Sequence, residues 1–153
     1  MKRKSGRRLV KVSHVATAPD VLYELMLEAE PHQVISHKAM PSWEEHLSFV
    51  SRYPYRAWYL IESEGEFVGH ISISRNYEIG IRLFKRCQGK GHGKWAIGEM
   101  VRMWGKEAAK AERPSVQRAA LLANINPANK ASIAVFEKLG FKHIQNTYAL
   151  DCK

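Results

Sequence analysis

Gly89, Gly91 and Gly93 fall in the run Gln88-Gly89-Lys90-Gly91-His92-Gly93, between a strand-like stretch and a helix-like one. Glycine has no Cβ, so this backbone can turn sharply and come into van der Waals contact with a ligand. The amides that open the following helix have no acceptor four residues earlier and point outward. Together with the positive end of the helix dipole they form an anion site. Lys85, Arg86, Lys90 and Lys94 crowd the same segment, so the anion this predicts is a phosphate or pyrophosphate. The spacing is neither G-x-x-x-x-G-K-[ST] nor G-x-G-x-x-G, which sets aside a P-loop and a Rossmann dinucleotide site. A glycine loop that only needs positive φ angles has the same spelling, and the surrounding elements must decide.

The elements read as follows. Arg8 to His14 alternates Leu9, Val10 and Val12 with polar neighbours, which predicts a first strand. Thr17 caps a helix with Pro19 and Asp20 in its first turn and Val21, Leu22, Leu25, Met26 and Ala29 at helical spacing, ended by Pro31. Ser42 and Glu45 spell a capping box before a short helix carrying Leu47, Phe49 and Val50, stopped at Tyr53-Pro54. The period then changes to two: Ala57–Glu62 is a strand, Glu64-Gly65-Glu66 a turn, Phe67–Ile73 the return, and Glu78–Phe84 the strand that feeds the glycine loop. A long helix follows from Gly91 to about Lys110, with Ile97, Met100, Val101 and Trp104 on one face. After Pro114, Val116–Asn124 reads as a buried strand, the segment from Asn129 to Leu139 as a helix with Gly140 as its C-cap, and Phe141–Leu150 as a closing pair of strands. Strand–helix alternation in the second half predicts a mixed α+β sheet.

At 153 residues the chain is a single domain over residues 1–153 with one core. No apolar run is long enough to span a bilayer, and the basic start lacks the continuous apolar stretch of a secretory signal. Cys87 and Cys152 make no disulfide framework, and a cytoplasmic setting is expected. The net charge of +9 is uneven: Lys2, Arg3, Lys4, Arg7, Arg8 and Lys11 precede the first acidic residue, leaving +3, which the cations of the glycine loop cover. Residues 1–8 are expected to form a flexible basic arm; a nucleic acid is its candidate partner but not the favoured one. The histidines and cysteines show no ligand spacing, so no metal is expected.

Two segments at this spacing resemble the GNAT (GCN5-related) N-acetyltransferase family. Gln88, Gly91 and Gly93 meet the Q/R-x-x-G-x-G/A acyl-CoA loop, and Asn129-Lys130-Ala131-Ser132-Ile133-Ala134-Val135-Phe136-Glu137-Lys138-Leu139-Gly140-Phe141 is similar to the helix and following strand of N-x-x-[AS]-x-x-x-[YF]-x-K-x-G-F. The resemblance is firm over residues 56–150 and looser before them. It implies a mostly antiparallel sheet of six to seven strands, the fourth and fifth splayed, flanked by about four helices. It implies acetyl-CoA as donor, with Gln88, Gly89, Lys90, Gly91, His92, Gly93 and Lys94 at the pyrophosphate. The main chain of Ile81, Arg82 and Leu83 would lie along pantetheine, with one N–H, assigned to Leu83, polarising the thioester carbonyl. Asn124, Asn129 and Phe136 would complete the cofactor contacts. Phe136 departs from the tyrosine many members use to protonate the leaving thiolate.

A base must take a proton from the attacking amine. Glu78, which opens the strand leading to the acyl site, is the first candidate and His70 the second; Tyr148 is a candidate hydroxyl near the thiol. Cys87 next to the loop admits an acyl-cysteine step, which is not preferred, and Trp43, Trp58, Tyr59 and Trp95 read as packing. The expected function is acetyl transfer from acetyl-CoA to a primary amine, on a small molecule or a protein, in a ternary complex. The amine-bearing acceptor is unidentified, with an anionic one mildly favoured; the assembly is a monomer or homodimer. Two other readings stay open: a catalytically weak CoA-binding module, and a nucleic-acid-modifying acyltransferase that uses the basic arm.

Overall fold

A computed structural model describes residues 6–30, 39–112 and 121–152. The sheet is formed by β1 (Arg7–Lys11), β2 (Ala57–Ser63), β3 (Glu66–Ile73) and β4 (Ile79–Leu83), side by side in that order and antiparallel throughout. Lys2, Arg3, Lys4, Pro31 and Pro114 lie outside the described residues, as does the first part of the strand expected over 116–124. Arg7 and Arg8, expected in a flexible arm, are strand residues: Arg8 pairs with Glu62 at 2.8 Å and Arg7 donates to the Lys90 carbonyl at 3.0 Å.

Helices α1 (Ala18–Leu27) and α2 (Trp43–Arg52) fill the connection from β1 to β2. The capping box at α2 forms as spelled: Ser42 Oγ accepts from the Glu45 amide at 3.2 Å, and the Glu45 carboxylate accepts from the Ser42 amide at 2.7 Å. Thr17 occupies the N-cap of α1 without a side-chain bond. After β4, a 3-10 turn (Lys85–Cys87) and the glycine loop lead into α3 (His92–Lys110), and α4 (Lys130–Lys138) follows later. Gly140 lies one residue past the Leu139 C-cap, with φ +91°.

Strand alternation sorts the sheet into two faces. The register pairs Trp58 with Ser72, Leu60 with His70, Ser72 with Gly80 and His70 with Arg82, so these six share one face. Ala18 and Leu22 of α1 pack there on Trp58 and Leu60, with Phe49 and Val50 of α2 beside them. On the opposite face Ile71, Ile73 and Ile79 pack with Ile61 against Ala96, Ile97 and Met100 of α3 and Phe136 of α4. Gly69 sits where the β2–β3 register shifts after Ile61; a Cβ there would lie 2.3 Å from the Arg82 carbonyl oxygen, so β4 can approach only a glycine.

A parallel bridge joins Glu78 to Leu122, made by the Ile79 amide donating to Leu122 O at 2.7 Å and the Leu122 amide donating to Tyr77 O at 3.0 Å. Among the described residues Leu122 is the single paired position of the expected fifth strand. The mixed α+β architecture, with four helices around an antiparallel sheet, is the one expected. The closing strands are different: no strand pairing occurs over 141–150 among the described residues. Phe141 packs on Phe136, but Ile144, Tyr148 and Leu150 are 52%, 88% and 86% exposed, so the stretch beyond Phe141 buries none of the apolar face that stabilises a strand, and His143, Gln145, Asn146 and Thr147 interrupt its alternation.

Candidate active site

A wedge opens beyond the Glu78–Leu122 bridge. In a strand, N–H and C=O groups of successive residues point to opposite edges. The Ile79 amide points at Leu122, so Ile81 and Leu83 present theirs to the same side; the Phe84 amide, of opposite parity, returns to Val68 O at 3.0 Å. From Gly80 to Arg82, β4 faces Asn124, Ile125 and Asn126 across a cavity rather than across a ladder. This is the splay of strands four and five that the two sequence segments implied.

The glycine loop closes one end of the wedge. Gly89 and Gly91 adopt φ +74° and +81°, and Gly91 is the N-cap of α3 with no side chain capping that end. Among the described residues no hydrogen bond uses the amides of Gly89 through Lys94, and the next amide, Trp95, bonds back to Gly91 O. His92 is buried with Nδ1 unpartnered, and its pKa is lowered by burial and then by the Arg7 and Lys90 charges. These orphaned donors, with Arg7, Lys90 and Lys94 nearby, fit an oxyanion at the helix start. Of the other cations expected at the loop, Lys85 pairs with Glu30 and Arg86 lies over the Phe84 ring. Gln88 reaches the Leu83 carbonyl at 3.4 Å.

The cavity, about 250 Å³, runs from α4 to the α1–α2 layer. Asn129, Ser132 and Phe136 line its α4 end, and His46, Tyr55, Trp58, His70 and Arg82 the other. Asn129 spends its Oδ1 on the Ser132 amide at 3.2 Å, as the N-cap of α4. Phe136 is buried, edge-on to Phe141 with centroids 5.0 Å apart, and offers no hydroxyl.

Trp58 fixes the chemistry of His70. The indole Nε1–H can only donate, and it reaches His70 Nδ1 at 3.2 Å, so the neutral imidazole carries its proton on Nε2. Burial, and then the charge of Arg82, lowers the His70 pKa to about 3. His70 therefore stands at the cavity as a neutral imidazole whose Nε2–H is a donor. His46 has the reverse arrangement: Nε2 donates to the Pro19 carbonyl at 2.7 Å and leaves the Nδ1 lone pair free in the neutral ring. Tyr55 stays protonated, its pKa raised by burial against the pull of Arg82.

The expected residues divide. Gln88–Lys94, Ile81–Leu83, Asn124, Asn129 and Phe136 line the loop, the wedge and the cavity. Glu78 flanks the cavity-lining Ile79 but is absent from the lining; its carboxylate accepts from Ser74 Oγ at 3.4 Å. Tyr148 is in the exposed stretch after α4 and is absent from the cavity lining. Cys87 is buried in the core, away from the cavity. His46, Tyr55 and the Arg82 side chain were missed as cavity residues. The polar alternation His70, Ser72 opposite Gly80, Arg82 was a sequence signal for Arg82 alone.

The acetyltransferase (GNAT) domain family matches residues 9–142. No curated protein matches the sequence. Among solved structures, a domain from Methanocaldococcus jannaschii DSM 2661 superposes with a TM-score of 0.73 at 21% identity, covering 94% of this chain and 93% of that one. The aminoglycoside N-acetyltransferase AAC(6')-Iy, in complex with CoA, gives 0.65 at 16% identity, covering 100% and 99%. A GNAT superfamily phosphinothricin acetyltransferase from Sinorhizobium meliloti, in complex with AcCoA, gives 0.60 at 19% identity, covering 92% and 76%. At these identities the likeness is one of fold.

Proposed function

Because the chain belongs to the acetyltransferase (GNAT) domain family, we propose that it transfers an acetyl group from acetyl-CoA to a primary amine seated at the α1–α2 end of the cavity, by direct attack in a ternary complex. The observation that carries this reading is the outward edge of β4 at Ile81 and Leu83: Ile81 lines the cavity, and Gly93 of the glycine loop lies against the Ile81 and Leu83 side chains. The loop amides and Arg7, Lys90 and Lys94 hold the pyrophosphate. The exposed edge of β4 aligns the pantetheine arm, and the Leu83 N–H stabilises negative charge on the carbonyl oxygen as the amine adds. Such a preorganised donor is usually the largest contribution to acyl transfer, and holding both reactants in one wedge supplies much of the rest.

The amine must shed a proton. Glu78, held by Ser74 at the mouth of β4, receives it through water in this reading. His46 is the competing acceptor, because it lines the cavity with a free Nδ1. Glu78→Gln and His46→Gln separate the two: the variant that loses the acidic limb of the pH–rate profile, where the base must be deprotonated, identifies it. Release of CoA thiol is measured with acetyl-CoA against grouped amines. Amine-dependent release with intersecting initial-velocity lines is expected; parallel lines would replace direct attack by an acyl-enzyme. The missing hydroxyl at Phe136 favours one second reading, a CoA-binding module without turnover. CoA binding with no amine-dependent thiol release across the panel would identify it.

A further inference from the structure

Arg82 is a cation with no anion. Its side chain leaves β4 on the face toward α1 and α2, lines the cavity, and is half-buried. No ion pair or hydrogen bond to it occurs among the described residues. All 15 Asp and Glu of the chain are among those residues, and none lines the cavity, so no side-chain carboxylate of this protein neutralises it there. Its titratable neighbours do not compensate either, since Tyr55 is a neutral phenol and His70 a neutral imidazole.

A guanidinium drawn out of water costs free energy unless it is paired. Retaining one beside two further donors, the His70 Nε2–H and the Tyr55 hydroxyl, is the arrangement that binds a planar or tetrahedral oxyanion, to which the guanidinium fork is matched. A cavity meant for a plain amine or polyamine would carry the opposite charge, a carboxylate to hold the ammonium group. This one carries none.

We propose that the amine substrate bears an oxyanion, a carboxylate or a phosphate, and that Arg82 binds it with His70 donating from Nε2. This rests on the acetyl-transfer reading for its location and extends it to the class of acceptor. Arg82 thus acts through two atoms sets on one residue: its main chain borders the donor wedge and its side chain selects the acceptor. Positive charge at this point also disfavours an unsubstituted diamine, whose far end would be a second cation.

The test compares matched pairs that differ by the anion alone. CoA-saturated protein is titrated calorimetrically with 4-aminobutyrate against 4-aminobutyramide, leucine against leucinamide, and 2-aminoethyl phosphate against ethanolamine. The anionic member of at least one pair is expected to bind about tenfold to hundredfold more tightly, the range for losing a charge-assisted hydrogen bond. The carboxylate and phosphate pairs say which oxyanion is read. Arg82→Gln should close the gap within that pair and Arg82→Lys should keep part of it, with CoA titration reporting that each variant is folded. Equal affinities in every pair, no binding by any member, or a gap that survives Arg82→Gln would overturn the assignment. Failure of the acetyl-transfer reading would look different: anion-dependent binding would remain, without amine-dependent thiol release.

Discussion

On the face of the sheet that meets α3, Ile61, Ile71, Ile73 and Ile79 pack on Ile97 and Met100 as an aliphatic layer. On the face that meets α1 and α2, the same strands turn Trp58, His70, Ser72 and Arg82 toward a cavity. Both faces are covered by helices, so burial alone does not separate them. What separates them is what the strands present: aliphatic side chains that pack on the first face, polar side chains that line a cavity on the second. The first face has the composition of a layer that holds the protein together; the second gives up apolar area to place donors, and relies on the first for stability. A protein built this way tolerates conservative changes on the α1–α2 face at a cost in specificity, and changes on the α3 face at a cost in folding.

The comparison breaks most visibly at Ile71, which is fully buried. Ile71→Ala should lower unfolding free energy by about 2–5 kcal/mol through the lost side chain and the cavity left behind, read by urea denaturation. If Ile71→Ala instead shifted substrate selectivity with stability intact, the division of labour between the faces would be wrong.

His70 supplies the next effect and belongs to the other face. In the folded protein it stays neutral down to about pH 3, whereas in the unfolded chain it takes a proton near pH 6.5. Between those values the unfolded state binds more protons, so the His70 contribution to stability is complete above pH 6.5 and declines as pH falls toward 3, by at most about 1.4 kcal/mol per pH unit. His70→Gln should remove that dependence. The difference in urea midpoint between pH 7 and pH 5 should shrink in the variant; an unchanged difference would mean that His70 is not held neutral.

Smaller effects sharpen the boundary between binding and scaffold. Gly91→Ala places a Cβ on a residue at φ +81°, a strain of about 1–2 kcal/mol. It should appear as weaker CoA binding in a titration, because the strain falls on the loop proposed to hold the pyrophosphate. Ser42→Ala removes one half of the α2 capping box and should cost about 1 kcal/mol in thermal unfolding, with the preference among amines unaltered.

The half of the site proposed for the donor was legible because its physics is local. A turn that needs positive φ at Gly89 and Gly91, followed by a helix with free amides, is spelled by contiguous residues, and so are the Ser42–Glu45 box and the Asn129 cap. The acceptor half was not, because it is assembled across strands. Arg82 opposes His70 and His70 accepts from Trp58 only through the register of β2, β3 and β4, and His46 arrives from α2. Nothing in the spacing of 46, 58, 70 and 82 records that meeting. Over Phe141–Leu150 no strand pairing occurs among the described residues; β-forming residues at alternate positions set a preference, and pairing needs a partner edge as well.

The bridge at Glu78 and Leu122 has a mechanical consequence. Two hydrogen bonds at one level, from Ile79 and to Tyr77, form the apex of a V whose arms are β4 and the chain through Asn124. Tyr77 is braced at that apex by its hydroxyl on Glu107 of α3, at 2.7 Å. The width of the mouth is then a lever-arm quantity: a slight tilt at the apex is magnified with distance along the arms, and the long helix that carries the glycine loop also carries the brace that sets the tilt.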